Sequence, residues 1–358
     1  MHPNRQSSQA AQPHANDRIR GKPVRMLSKT FMADLKTGIL KDILDVVRQD
    51  QTLDFQIRNN QVHIYYDGGK ILDLKPKSSK GYYASFDENY CVLKKHTPDD
   101  LKNKVHLQGR PELPNHIMTK ADGQKWAQSI APLKTIMNAW FVEHPKIERK
   151  HQQLLIAQNN KLAESDKTDF FIIDTEYTRH PARFDMVGMS WPTDATEDKP
   201  RLAFIELKVG DNALRSSSTK TGVGTARTIP GIVKHLDDFT QFITPDNYAS
   251  VKREMITVLK QKIELDVLCD NEKRRRIGTP ETFSDQAPQF ILLFANHNPK
   301  STILENELQN ISDSEKFELK IALLKYKRYS LTHKTMFTLS DAKEEISRRH
   351  RCAATDKT

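Results

Sequence analysis

Two charges two positions apart, Glu206 and Lys208, interrupt an apolar run, Ala203-Phe-Ile-Glu-Leu-Lys-Val209. In a β-strand alternate side chains share a face, so Phe204, Glu206 and Lys208 point the same way. Ionised groups set in such a run are costly to bury unless neutralised or paired. Another charge, Asp185, interrupts the apolar Phe184-Asp-Met-Val187, 21 positions before Glu206. That interval fits one strand, a turn and a return strand, and pairing those strands brings Asp185 beside Glu206. Two adjacent carboxylates cannot both stay charged cheaply unless a cation sits between them. Oxygen ligands with open positions suit magnesium or manganese, so the chemistry open to this trio is that of a bound divalent ion.

The elements that must position the trio follow from periodicity. Residues 170–177, 183–190 and 202–209 are short, β-rich runs bounded by turn residues, and read as three strands. Helices are expected at 125–142 and 146–163, broken near Pro132 and at His144-Pro145. A polar loop, 216–228, leads into a helix with Ile232, Val233, Leu236, Phe239, Phe242 and Ile243 on one face, and 290–294 is a fully apolar strand. Helices near 302–311 and 340–348 flank a mixed segment at 321–331. Upstream, Phe31, Leu35, Ile39, Ile43, Val46 and Val47 have the spacing of one amphipathic helix over 31–47. The period then changes to two at 53–57, 62–66 and 71–74, around the turns Asn59-Asn60 and Asp67-Gly68-Gly69, which predicts an antiparallel meander extended by 82–86 and 90–93.

The pattern Asp185…Glu206-Leu207-Lys208, with this order of elements, resembles the PD-(D/E)xK nuclease superfamily, the restriction-endonuclease-like fold. The resemblance covers roughly 145–295, and Phe184 stands where the name motif has proline. It implies that Asp185 and Glu206 bind the metal, that the Leu207 backbone carbonyl is a further ligand, and that Lys208 positions or activates the attacking water. A metal acidifies bound water and, with the lysine, stabilises charge building on a phosphate, which is phosphodiester hydrolysis. Family members often carry another acid on the first core helix, where Glu148 is a candidate, although its Lys146-Ile-Glu-Arg-Lys150 setting also reads as an exposed charged face. Glu176 competes for that role, because it alternates with Asp174 on one face of the first strand. Lys234 and His235, on the helix after the ExK strand, are candidates to approach the scissile phosphate.

Arg179 and Arg183 flank the first hairpin as candidate phosphate contacts, and Lys220 and Arg227 lie in the polar loop, which lacks a Walker A pattern and reads as substrate-facing. Lys273-Arg274-Arg275-Arg276 is a further basic run, more often a solvated loop than a DNA contact. Tyr65, Tyr66, Tyr82 and Tyr83 could stack bases, but paired strand tyrosines more often pack. No histidine spacing is that of a metal site.

Composition sets the frame. The 358 residues carry 56 Lys plus Arg against 46 Asp plus Glu, a net charge of +10 that favours a polyanionic partner such as nucleic acid. No stretch approaches the length of a membrane helix, the amino terminus lacks the apolar core of a signal peptide, and three scattered cysteines make no disulfide framework. A cytoplasmic chain without a membrane partner is expected. The fold class is α/β (α+β overall): a basic tail at 1–25 expected to be disordered, a small α+β domain containing the meander at 26–110, a restriction-endonuclease-like mixed sheet flanked by helices at 120–350, and a tail at 351–358. The resemblance implies a magnesium- or manganese-dependent nuclease acting on DNA rather than RNA, with defence or repair as its setting by analogy. Many relatives dimerise to cut both strands, so a homo-oligomer is compatible with it. Two rivals stand beside this reading: an inactive nuclease-fold module that binds DNA or assembles a complex, and a merely structural Glu206–Lys208 ion pair.

Overall fold

In the computed structural model, residues 25–93, 97–109, 111–162, 165, 167–191, 199–215, 217–220, 226–229, 231–268, 280–324 and 329–355 are described. The alternating segment folds as expected into an antiparallel sheet, β1 (Leu53–Arg58), β2 (Gln61–Tyr66), β3 (Gly69–Pro76) and β4 (Tyr82–Ser85), and a fifth strand beyond the expected boundary at 110, β5 (His116–Ile117), pairs with β4 at its edge. Two-residue turns join the first three strands, with Asn60, Asp67 and Gly68 at positive φ. The stripe over 31–47 forms two helices, α1 (Lys29–Lys36) and α2 (Lys41–Gln49), rather than one. The break falls at Thr37-Gly38, where the backbone passes so close to Asp34 that a Cβ on Gly38 would lie 2.6 Å from the Asp34 Cα. The expected strand at 90–93 is instead a 3₁₀ turn, Glu88–Cys91, followed by α3 (Asp99–Gln108).

Helix α4 (Lys120–Glu143) runs unbroken through Pro132. Proline deprives only the Gln128 carbonyl of its donor, and Gln128 is on the exposed side of the helix, where water replaces it. The sequence grouped this helix with the second domain, yet Trp126, Ile130, Leu133, Ile136 and Met137 pack into one core with the β1–β5 sheet, Phe31, Leu35 and Leu44.

Helix α5 (Ile147–Ile156) ends in a π-helical turn, Ala157–Lys161. Then β6 (Phe170–Arg179), β7 (Ala182–Ser190) and β8 (Arg201–Val209) form an antiparallel run, with Met186 opposite Ile205 and Val187 opposite Phe204. The polar loop expected at 216–228 contains a hairpin, β9 (Ser217–Lys220) and β10 (Ala226–Ile229). Helices α6 (Ile232–Phe242) and α7 (Pro245–Glu264) precede β11 (Gln289–Ala295), which is parallel to β8 and to β12 (Glu318–Leu324). A short antiparallel edge, β13 (Met336–Phe337), completes a six-stranded mixed sheet, β13-β12-β11-β8-β7-β6. Helix α6 and α7 with helices Ile303–Gln309 and Leu339–Thr355 cover one face, through Phe204, Phe239, Phe290 and Ile346 among others. Leu155 and Ile156 of α5 cover the other against Ile205, Leu207 and Ile291. The chain is thus mixed α/β with two sheets. Among the described residues no helix is long and apolar enough to cross a membrane.

Buried charge joins the two sheets. Asp174 of β6, 0% exposed, receives Arg25 and Arg58 together, with Arg58 Nη1 at 2.7 Å. The same guanidiniums donate to backbone oxygens of β6, Arg58 to Thr175 at 3.0 Å and Arg25 to Glu176 at 2.8 Å. Glu254 of α7 accepts from the Arg25 backbone N–H and from the Tyr177 hydroxyl. Arg25 is therefore an anchor rather than part of a tail; residues 1–24, like Lys273–Arg276 and 356–358, lie outside the described residues. The tail expected from 351 begins inside the last helix, which runs to Thr355. Asp174→Ala leaves two buried guanidiniums without their carboxylate and should cost about 3–5 kcal/mol. Urea unfolding of that variant, against an exposed control such as Asp99→Ala, measures it; a loss near zero would show that the clamp does not hold the sheets together.

Candidate active site

Backbone register sets the site. The β7–β8 ladder ends at the Met186–Ile205 pair, so the next positions outward are Asp185 and Glu206. Asp185 takes over as acceptor where the ladder stops: its Oδ2 receives the Leu207 backbone N–H at 2.8 Å, and its Oδ1 the Gln152 amide of α5 at 2.8 Å. Glu206 Oε1 is 2.6 Å from Lys208 Nζ and 3.1 Å from His235 Nε2, and Lys208 Nζ is 3.2 Å from the same histidine nitrogen. All three charged residues of the trio are less than a tenth exposed. Helix α6 brings His235 in because its apolar stripe, Ile232, Leu236 and Phe239, docks on Phe204 and turns the preceding helical position toward the strand end.

Burial and like charge dominate the electrostatics. Burial first, then the charge of Glu148, pushes the Asp185 carboxyl up to about 7, against the Leu207 N–H and Lys208, which favour the anion. Burial and then Asp185 hold Glu206 well above the carboxylate range. For Lys208 burial opposes the charge, but Glu206 and, behind it, Asp185 and Glu148 outweigh it and keep the ammonium above its ordinary value. Burial, then Lys208 and Arg183, bring His235 down to about 3, so its imidazole is neutral at pH 7. A neutral ring with one nitrogen between a carboxylate and an ammonium accepts from the lysine or donates to the glutamate, according to tautomer.

The structure gathers Asp185, Glu206, Lys208 and His235, with Glu148 near enough to act on the carboxylates through its charge. Glu176 sits at one remove: its carboxylate is held by Arg149 at 2.9 Å and Arg183 at 2.5 Å, and its backbone is in the left-handed region at φ 50°. Lys234 turns away to pair with Asp238 one helical turn on. Arg179 has a buried Nη1 without a hydrogen-bond partner. Lys220 and Arg227 lie on the β9–β10 hairpin, with Lys220 opposite Ala226 and Arg227 opposite Thr219; their side chains lie outside the described residues. Sequence reasoning missed Gln152 and Arg149. On α5 the apolar Ile147 and Leu154 are on the outside, at 54% and 38% exposure, while His151, Gln152, Leu155 and Ile156 are buried. Gln152 is four residues, one turn, from Glu148, and that spacing was the available signal.

Among the described residues no three His, Cys, Asp or Glu side chains converge as a ready metal cage. The donor set of two buried carboxylates nonetheless fits a hard divalent cation, because both are held above their ordinary range by burial and by neighbouring negative charge, the condition a cation relieves. A cleft of about 520 Å³ is lined by Tyr66, Asn138, Lys150 and Leu154 and contains none of the trio. Protein-family models, curated proteins and solved structures show no match to this chain.

A carboxyl whose folded pKa lies near 7 and whose unfolded pKa is 3.8 binds its proton more tightly when folded. Its favourable contribution is complete below about pH 4 and is lost as pH rises through 7. In metal-free buffer Asp185→Asn should therefore match the wild type near pH 4 and exceed it at pH 8, by at most about 4 kcal/mol. Denaturant midpoints at pH 4–8 in EDTA test this, and a variant that is less stable at pH 8 would overturn it.

Proposed function

We propose that this chain is a divalent-metal-dependent nuclease built on a restriction-endonuclease-like fold, hydrolysing phosphodiester bonds of DNA. The observation that carries the proposal is the meeting of Asp185 and Glu206 at the end of one ladder with the Lys208 ammonium against them. The mixed sheet with an antiparallel β6–β7–β8 start, and a helix on the face behind it, agrees with the expected fold. Asp185 and Glu206, with the Leu207 carbonyl, would hold magnesium or manganese. When bound, such an ion supplies Lewis acidity and an acidified water.

The remaining work falls to side chains of this chain. The Gln152 amide and the Leu207 N–H fix the Asp185 carboxylate in one orientation. Lys208 keeps its proton under the pull of Glu206, so it meets a phosphate as a cation and stabilises the charge that develops on it. His235, neutral and beside both, can take up or return a proton at Nε2. Arg183, 60% exposed on its side chain and tied to Glu176, offers a phosphate contact at the rim. The net charge of +10 agrees with a polyanionic substrate.

The test is cleavage of supercoiled plasmid and of a labelled single strand, each in magnesium, manganese or EDTA. The wild type should cut only with metal, and Asp185→Asn and Lys208→Ala should each lose about 10²–10³-fold or more. Equal cutting by all three proteins would mark a contaminant. No cutting, with salt-sensitive DNA binding that survives both substitutions, would replace the nuclease by a binding module on the same fold.

A further inference from the structure

One face of the β1–β5 sheet packs on its helices, through Ile57, Val62, Leu74, Ala84 and Ile117. The opposite face crosses the sheet as a row set by register: Arg58 beside Gln61, then Lys75 beside Tyr83, then Tyr83 beside His116. The paired tyrosines expected to pack divide here. Tyr82 is in the core, whereas Tyr83 is 48% exposed, with its ring 5.0 Å from the exposed His116 ring and 5.5 Å from the Lys77 ammonium. The charge of this face is positive. Of its two strand acids, Asp54 is buried and accepts from the Gln56 amide, and Asp73 is neutralised by Lys70 at 2.5 Å, while Lys75 and, in the β3–β4 connection, Lys80 are exposed.

The row runs toward the trio. Its first residue, Arg58, binds the β6 backbone at Thr175, beside Glu176. Next to it Tyr65, opposite Lys70, lines the crease between the sheet and α5 together with Arg149 and Gln152. Gln152 is the residue that holds Asp185.

We propose that this outer face is a platform for single-stranded nucleic acid, which leads an unpaired strand across Tyr83 and His116 and along Lys75 toward Asp185. Exposed rings stack on base faces only where the bases are unpaired, since a duplex hides those faces. Lysines beside the rings supply the backbone attraction, and their contribution falls with salt. The five strands give a track of roughly 19 Å at about 4.8 Å per strand. The proposal rests on the nuclease reading for its destination and deepens it by naming the strandedness of the substrate.

The experiment uses the full chain carrying Asp185→Asn in EDTA, so that binding is read without cleavage. A fluorescent 20-nucleotide thymidine strand is titrated by anisotropy. Tyr83→Ala and His116→Ala should each weaken binding by about tenfold, and Tyr83→Phe should not. The double variant Lys75→Ala, Lys77→Ala should make the salt slope shallower by about 1.4. Binding unchanged by Tyr83→Ala, or tighter binding to a duplex of the same length, would overturn the platform. Cleavage by the otherwise wild-type protein is scored separately. A Tyr83-dependent strand affinity without any cleavage would support the platform and remove only the nuclease.

Discussion

Excess negative charge out of water is the constraint around which the rest of this structure is arranged. Asp185 and Glu206 meet at the end of a β-ladder with one buried ammonium against Glu206, and Glu148 adds to the repulsion rather than relieving it. The fold does not dissolve the problem by exposing these groups. It orients them, with an amide from α5 and a backbone N–H on Asp185 and with Lys208 and a neutral His235 on Glu206. The nearby arginines, Arg149 and Arg183, pair directly with Glu176, and Arg183 reaches Asp185 and Glu206 only through its charge. What results is a rigid site left short of positive charge.

Rigidity has a second source outside the mixed sheet. Asp174 and the backbone of Thr175 and Glu176 are held by Arg25 and Arg58, which belong to the amino-terminal half of the chain. Glu176 adopts its left-handed conformation immediately after these contacts. Strain of that kind persists only where the surroundings over-determine it. The amino-terminal sheet is therefore a support of the site as well as a neighbour, since removing it would release the strand that presents Glu176. Lys262 of α7 adds to the same joint, donating to the Ile173 carbonyl at 2.7 Å and to Gln56 at 3.0 Å.

How much of this was legible in the sequence follows physical lines. Alternation and turn pairs gave the meander, and the apolar runs gave β6, β7, β8 and β11, because a strand's pattern is local. The juxtaposition of Asp185 and Glu206 followed from an interval that fits one strand, a turn and a return strand. The single stripe over 31–47 broke into α1 and α2 at Thr37-Gly38, where the backbone turns back against Asp34, a local break that apolar spacing alone does not register. Residue type does not reveal the buried side of α5, since Ile147 and Leu154 are apolar yet exposed and the polar Gln152 is buried with its bond to Asp185. Arg25 read as part of a basic tail because its partner, Asp174, is 149 residues away. Long-range polar pairs leave no periodic trace; the clamp is of that kind, whereas for Gln152 only its one-turn spacing from Glu148 offered a signal.

On the proposed nuclease reading, the charge balance also distinguishes a reactive centre from a structural ion pair. A structural pair buried for stability tends to one cation per anion, since surplus charge in low dielectric costs free energy that nothing returns. Here one ammonium faces two buried carboxylates with a third acting on them, and burial with like charge, rather than the lysine, sets where the Asp185 carboxyl titrates. Satisfying Glu206 alone would need Lys208 and nothing more. Asp185 adds repulsion and is kept in place by two dedicated hydrogen bonds. A group that is costly, precisely oriented and surplus to the pair is the kind found where charge is to be met by something arriving from outside. A divalent cation with a phosphate brings both the positive charge for the carboxylates and the negative charge that the lysine then faces.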